Sequence, residues 1–227
     1  MKKSIPWIVL IAAVVLIFAV YNVFSGNSGA SDSRPGGSGV NDTTHDPIYK
    51  VVLDPGHGGK DRGATGASGQ DEKDFTLQLS HKVRERLEQE PQIEVYMTRT
   101  DDSFISSIDR ERPEFANQLN ADVFLSIHGN TFTDAGVSGT ETYYYREESL
   151  QLAEIMHKHT VEATGFRDRG VKKENFFVVK DTTMPAVLLE VGYLTNPQDE
   201  AQLLKDEVQN RIAGSIVAGI KEYLNIQ

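Results

Sequence analysis

His57 sits in the turn Asp54-Pro55-Gly56-His57-Gly58-Gly59, directly after an apolar run, and His128 closes a second run, Phe124-Leu125-Ser126-Ile127. A histidine in such a glycine-rich turn reads as an exposed loop residue, or as a metal ligand whose glycines let the backbone pass close to an ion. A phosphate-cradling loop is disfavoured: Lys60 is followed by Asp61 rather than Ser or Thr, and Asp54 and Asp61 would repel a phosphate. His128 alone reads equally as a satisfied structural histidine. Two strand-end histidines in a chain with no cysteine are less easily dismissed, because imidazole is then the usual zinc ligand. Glu190 interrupts Ala186-Val187-Leu188-Leu189-Glu190-Val191-Gly192, which would otherwise be a buried strand. A buried carboxylate needs an ion-pair partner, a raised pKa or a chemical task.

Other candidates are weaker. His157 and His159 are two apart on a helical pattern and do not share a face. Glu154-x-x-His157 has the spacing of half a di-iron site, but no second copy completes it. His45 lies in a linker and His81 on a charged helix. No Gly-x-Ser-x-Gly is present, so a serine-hydrolase elbow is unsupported. The absence of Cys excludes disulfides, thiolate metal sites and cysteine nucleophiles.

Strands and helices must alternate to position these residues. Apolar or β-branched runs predict strands at Ile48–Leu53, Ile93–Thr98, Val123–Ile127, Thr140–Tyr145, Phe176–Val179 and Ala186–Val191. Helical spacing joins Phe75, Leu79, Val83 and Leu87, and again Val208, Ile212, Ile216 and Ile220; residues 149–164 form a third helical pattern. The last helix is expected to start at Asn196 as N-cap, with Pro197 at its first position. The pattern predicts one α/β domain, residues 47–227, with a mostly parallel, roughly six-stranded sheet flanked by helices. Ligands in such folds sit where the C-terminal ends of parallel strands meet the following loops, which is where His57, His128 and Glu190 fall.

The chain has 227 residues, 39% of them hydrophobic and 25% charged, which is ordinary for a globular protein. Lys2, Lys3 and Arg34 cancel Asp32, Asp42 and Asp46, so the net charge of −10 belongs to residues 47–227. That argues against a general nucleic-acid binder. Ile5 to Tyr21 carries no charged side chain and, with Val23 and Phe24, is about long enough for a bilayer core of roughly 30 Å. Lys2 and Lys3 precede it, so residues 1–24 are expected to be a membrane anchor with its amino end in the cytoplasm. A cleaved signal peptide ending near Ser28-Gly29-Ala30 is the alternative; both export the domain. Residues 25–46 have the Ser/Gly-rich composition of a flexible linker.

Six segments in order carry a resemblance: Leu-Asp-Pro-Gly-His-Gly-Gly-Lys-Asp (53–61), Glu-Lys-Asp (72–74), Met-Thr-Arg (97–99), Ser-Ile-His-Gly-Asn (126–130), Asp-Arg-Gly-Val-Lys (168–172) and Pro-Ala-Val-Leu-Leu-Glu-Val-Gly-Tyr-Leu-Thr-Asn (185–196). Together they resemble the zinc-dependent N-acetylmuramoyl-L-alanine amidases of the amidase-3 type over roughly residues 48–224. The resemblance implies one Zn²⁺ held by His57, Glu72 and His128, with Glu190 as the catalytic carboxylate. It also implies hydrolysis of the amide between N-acetylmuramic acid and L-alanine in peptidoglycan. Glu72 owes its role to this match alone; locally it is a charge at a helix start. Gly129 stands where the family commonly has Ala, a change expected to be harmless. Thr76 replaces an Asn often found four residues after the ligand Glu, which is expected to weaken support for that ligand. Pro113 falls within an expected helix, which should therefore start late. Glu141 matches a common family Glu and is a second-tier candidate for a direct role.

The resulting expectation is a membrane-anchored or secreted bacterial cell-wall amidase, with peptidoglycan as its partner and no nucleic acid. The alternatives are a zinc carboxypeptidase-like peptidase of the same architecture and an inactive wall-binding module. The latter should lack one of His57, Glu72, His128 or Glu190. The short gap from His128 to Glu141 leaves little room for an occluding helix.

Overall fold

The computed structural model describes residues 47–227. The anchor or signal expected at 1–24 and the linker at 25–46 lie outside the described residues. Among the described residues no helix is long and apolar enough to cross a membrane.

Six strands form one sheet: β1 (Tyr49–Pro55), β2 (Ile93–Met97), β3 (Val123–Asn130), β4 (Thr140–Tyr144), β5 (Asp168–Lys173) and β6 (Ala186–Tyr193). Their order is β2-β1-β3-β6-β4-β5. Every pairing is parallel except β4 with β6, so the expected mostly parallel α/β sheet is what forms. The helices are α1 (Glu72–Leu87), α2 (Glu111–Leu119), α3 (Leu150–Thr164), the single turn α4 (Phe177–Lys180), α5 (Pro197–Leu203) and α6 (Asp206–Leu224).

Alternate residues of each central strand face opposite layers. Val51, Leu53, Leu125, Ile127, Val187 and Leu189 meet Phe75, Leu79, Met156, Ile212 and Ile216 of α1, α3 and α6. Val52, Phe124, Ala186 and Leu188 meet Ala116, Val178 and Val179 of α2 and α4. Burial on both faces explains why these strands read as continuous apolar runs rather than alternating ones.

Two expectations are corrected. Phe176–Val179 is no strand: Phe177–Lys180 is one helical turn, and its valines cover the second face of the sheet. Four apolar residues do not distinguish a strand from a buried helical turn. The sixth strand is instead β5, Asp-Arg-Gly-Val-Lys-Lys, a charged edge strand paired only with β4. The last helix is two helices. Asn196 caps α5, its side chain accepting from Gln198 N at 2.9 Å and Asp199 N at 3.0 Å, but the chain breaks after Leu203 and α6 begins at Asp206. Pro113 lies in the first turn of α2, where proline is tolerated.

Candidate metal and catalytic site

The C-terminal ends of β1, β3 and β6 and the start of α1 converge. His57 follows β1, His128 and Glu190 are register partners near the ends of β3 and β6, and Glu72 opens α1. One ligand atom from each of His57, Glu72 and His128 lies within 4.8 Å of the others. A tetrahedral zinc ion with ligand bonds of 2.0–2.2 Å spaces its ligands roughly 3.3–3.5 Å apart, so this cluster is the right size. Glu72 lies between the imidazoles: Oε2 is 3.1 Å from His57 Nε2, and Oε1 is 2.9 Å from His128 Nδ1. Backbone amides of Ala64 (2.8 Å) and Gly129 (3.1 Å) donate to the same two oxygens and fix the carboxylate.

Burial works to raise the pKa of Glu72, but hydrogen bonds and charge from His128 and His57 outweigh it and hold the group far below the usual carboxylate range. His57 shows the reciprocal effect. Burial works to lower its pKa, and Glu72 and Asp61 together raise it. Two nitrogen donors around a firmly ionised carboxylate are a donor set that suits a divalent cation.

Glu190 is built differently. The residue as a whole is partly exposed, yet its Oε2 is shut from solvent and has no hydrogen-bond partner among the described residues. Burial, with the charges of Glu72 and Glu141, raises its pKa well above the ordinary value. Glu190, His57 and His128 line one cavity of about 260 Å³ together with the apolar Ile105, Phe176, Phe177, Val178 and Leu188 and the polar Asp61, Ser107 and Arg112. Residues 131–139 hold turns and no helix, so nothing from that segment forms an occluding helix over the cavity.

Glu141 is the register partner of Glu190 on β4. It is buried, and Arg169 Nε (2.5 Å), Tyr193 OH (2.8 Å), Lys172 Nζ (3.0 Å) and the Tyr143 hydroxyl surround it. These donors overcome the effect of burial and hold its pKa down to about 2. Glu141 is thus a permanent anion in a cationic clamp and is unsuited to carry a proton near neutral pH.

The loop that presents His57 is held by residues whose part the sequence did not reveal. Arg112 Nη1 donates to Asp54 Oδ1 (2.5 Å) and Pro55 O (2.8 Å), and its Nη2 to His57 O (2.6 Å). Arg99 donates to Pro55 O (3.1 Å) and Gly56 O (2.8 Å). Asp54, fully buried, also accepts from Thr98 Oγ1 (2.6 Å) and Ser126 Oγ (2.7 Å), tying the ends of β1, β2 and β3 together. Arg99 belonged to a recognisable segment, Met97-Thr98-Arg99. Arg112 belongs to no such segment, and its partner Asp54 is 58 residues away. The anchored loop carries His57 in the left-handed region at φ 62°, a strained backbone for a side chain of this kind.

Two departures from the family pattern lie beside the site. Thr76 is fully buried, donates from Oγ1 to Gly56 O (2.8 Å) and accepts from Arg99 Nη2 (3.0 Å), so it supports the His57 loop. An Ala at position 129 would need the Leu194 side chain to shift. A Cβ would lie 2.7 Å from Leu194 Cδ1 and 2.8 Å from its Cγ. Gly56 is required more strictly, since a Cβ there would fall 2.3–2.6 Å from the His128 ring.

A family model described as N-acetylmuramoyl-L-alanine amidase matches residues 51–222. The protein YqiI of Bacillus subtilis (strain 168) is 42% identical over 177 residues, covering 76% of this chain and 84% of its own. The probable cell wall amidase LytH of Staphylococcus aureus is 37% identical over 179 residues; the match covers 77% of this chain and 58% of LytH. The catalytic domain of CwlV, an N-acetylmuramoyl-L-alanine amidase from Bacillus (Paenibacillus) polymyxa, superposes with a TM-score of 0.77 at 48% identity, covering 79% of this chain and all of that one. Fold and sequence agree, and the chain belongs to the N-acetylmuramoyl-L-alanine amidase family.

Proposed function

We propose that this chain is a zinc-dependent amidase that cleaves the bond between the lactyl carbonyl of N-acetylmuramic acid and the L-alanine of the stem peptide. The observation that carries this reading is a His–Glu–His cluster opening into the same cavity as an unpartnered carboxylate. His57, Glu72 and His128 would hold the ion, leaving a ligand position free for the reaction. When bound, zinc supplies Lewis acidity, drawing charge from the scissile carbonyl and making an attacking water acidic near neutral pH.

The side chains of this chain do the rest. Glu190, with no competing hydrogen bond on Oε2, accepts the proton of the attacking water and returns it to the leaving amine of L-alanine. Burial raises its proton affinity, and the positive charge of an ion held by the neighbouring His–Glu–His cluster would lower it again, leaving the carboxylate free to accept. Arg112 and Arg99 hold the His57 loop through its carbonyls. The apolar wall of the cavity excludes bulk water beside the reacting amide. An inactive wall-binding module should lack one of His57, Glu72, His128 and Glu190, and all four are present and share one site.

Residues 1–24 would tether the chain to the cell membrane with the domain on the outer side. The charge-free stretch Ile5–Tyr21 behind Lys2 and Lys3 supports this part of the proposal. Protease added to wall-stripped cells should then release a fragment beginning within residues 25–46. Recovery of the chain from the medium with its amino end near Ser31 would establish a cleaved signal instead.

The chemistry is tested by mass analysis of products from purified peptidoglycan. Stem peptides with a free L-alanine amine are expected, with about one zinc per chain. Chelation should abolish the activity and zinc restore it. Full activity in a metal-free sample would overturn the mechanism. His128→Ala should lower zinc content and rate together.

A further inference from the structure

Beside the catalytic cavity lies a second one of about 340 Å³, lined by Arg110, Asn175, Phe176, Phe177, Lys180 and Asp181. The two cavities share Phe176 and Phe177 as a common wall. They differ in chemistry. The first is bounded on that side by apolar residues, while the second brings two cations and a carboxamide together in a domain of net charge −10.

Both cations are available. Arg110 stacks over the Phe177 ring at 4.8 Å and has only a loose ion pair, 3.4 Å from Nε to Asp181 Oδ2. Lys180 lies 5.7 Å from the Tyr145 ring centroid. Among the described residues neither side chain donates a hydrogen bond to a protein acceptor. Arg110 is also held at φ 59°, a left-handed conformation that a non-glycine residue adopts only at a cost. Aromatic stacking and backbone conformation thus fix a guanidinium at the mouth of a cavity without giving it a strong partner. Strain of this kind clusters where a ligand is bound.

We propose that this second cavity is a specificity subsite in which Arg110 and Lys180 receive a free carboxylate of the peptide portion of the substrate, beyond the L-alanine. The inference rests on the amidase reading and deepens it. An extended chain advances about 3.3–3.6 Å per residue, so a carboxylate one or two residues past the cleaved amide lies roughly 4–7 Å further on. The second cavity shares Phe176 and Phe177 with the catalytic one, so a peptide leaving the reacting amide along that wall runs toward Arg110 and Lys180. Charge-assisted hydrogen bonds to a carboxylate are the strong ones, and Arg110 can offer a planar fork while Lys180 offers a point charge. Asp181 limits the subsite to a single anionic group by contributing one opposing charge.

The test uses the zinc-loaded full chain and two soluble N-acetylmuramoyl-L-alanyl peptides, identical except that the second residue carries a free carboxylate or its carboxamide. The expected wild-type preference is about tenfold in kcat/KM for the carboxylate, expressed in KM, shrinking as salt rises. In Lys180→Met and in Arg110→Gln the ratio should fall toward one. Lys180 lies outside the start of α2, so its variant keeps the test decisive if Arg110→Gln misfolds. A wild-type enzyme that cleaves both peptides equally well, or a preference that survives in Lys180→Met, overturns the subsite and leaves the amidase reading standing. Cleavage of neither peptide by the wild type overturns the amidase reading and the subsite with it.

Discussion

Glu190 and Glu141 face each other in register on β6 and β4, and their surroundings could hardly differ more. Glu190 Oε2 has no partner, and burial beside two other carboxylates drives its pKa up. Glu141 has Arg169, Lys172 and two tyrosine hydroxyls around it and is held down to about 2. Burial favours the neutral form of both. Donors decide the outcome, because hydrogen bonds and nearby cations favour the charged form enough to reverse the effect of burial. One carboxylate is left able to exchange a proton, and its neighbour is a fixed charge.

The largest effect expected from this difference is on rate. Glu190→Gln should lower amide cleavage about 10²–10⁴-fold, or about 3–5 kcal/mol of barrier, with zinc content unchanged. If Glu141→Gln, still folded, loses rate to the same extent at unchanged KM, the contrast breaks and Glu141 takes part directly.

Next is stability. Glu141→Gln leaves Arg169 and Lys172 clustered without their anion, and should cost about 2–3 kcal/mol in urea unfolding at pH 7, less than a fully buried pair because both cations are partly exposed. The pH dependence has a definite sign. A folded pKa near 2, below the unfolded value near 4.3, contributes stability that is present above pH 4.3 and lost as pH falls toward 2. The deficit of Glu141→Gln should therefore vanish in acid.

Glu190 should show a smaller effect of opposite sign. Its folded pKa is raised, so its protonated form favours the folded chain at low pH and that contribution is lost as pH rises through the folded pKa. In metal-free protein, Glu190→Gln should raise the melting midpoint at pH 8 and converge with wild type below pH 4. A lowered midpoint at pH 8 would mean that Glu190 was chiefly a structural ion-pair partner. The smallest change concerns packing beside the site. Gly129→Ala should cost about 1 kcal/mol, since Leu194 must move to admit a methyl group.

The central sheet was legible because parallel strands covered on both faces become apolar runs bounded by turns. The edge was not. β5 lies at the rim and satisfies only one neighbour, so its residues carry charge rather than an apolar pattern, while Phe176–Val179 has a strand's composition and forms a helical turn. His57, His128 and Glu190 stood out because each follows or interrupts an apolar run. Glu72 did not, because a glutamate at a helix start is commonplace.

What the sequence by itself determined was the set of groups able to do chemistry and their places at strand ends, since residue type and local periodicity are properties of neighbours along the chain. Only the tertiary structure decided what each group is next to. Arg112 reaches Asp54 across 58 positions, Thr76 reaches Gly56 across 20, and two facing glutamates 49 residues apart acquire opposite proton affinities. Charge state depends on the donors and charges within a few ångströms, and those neighbours exist only once the sheet has brought its strands together.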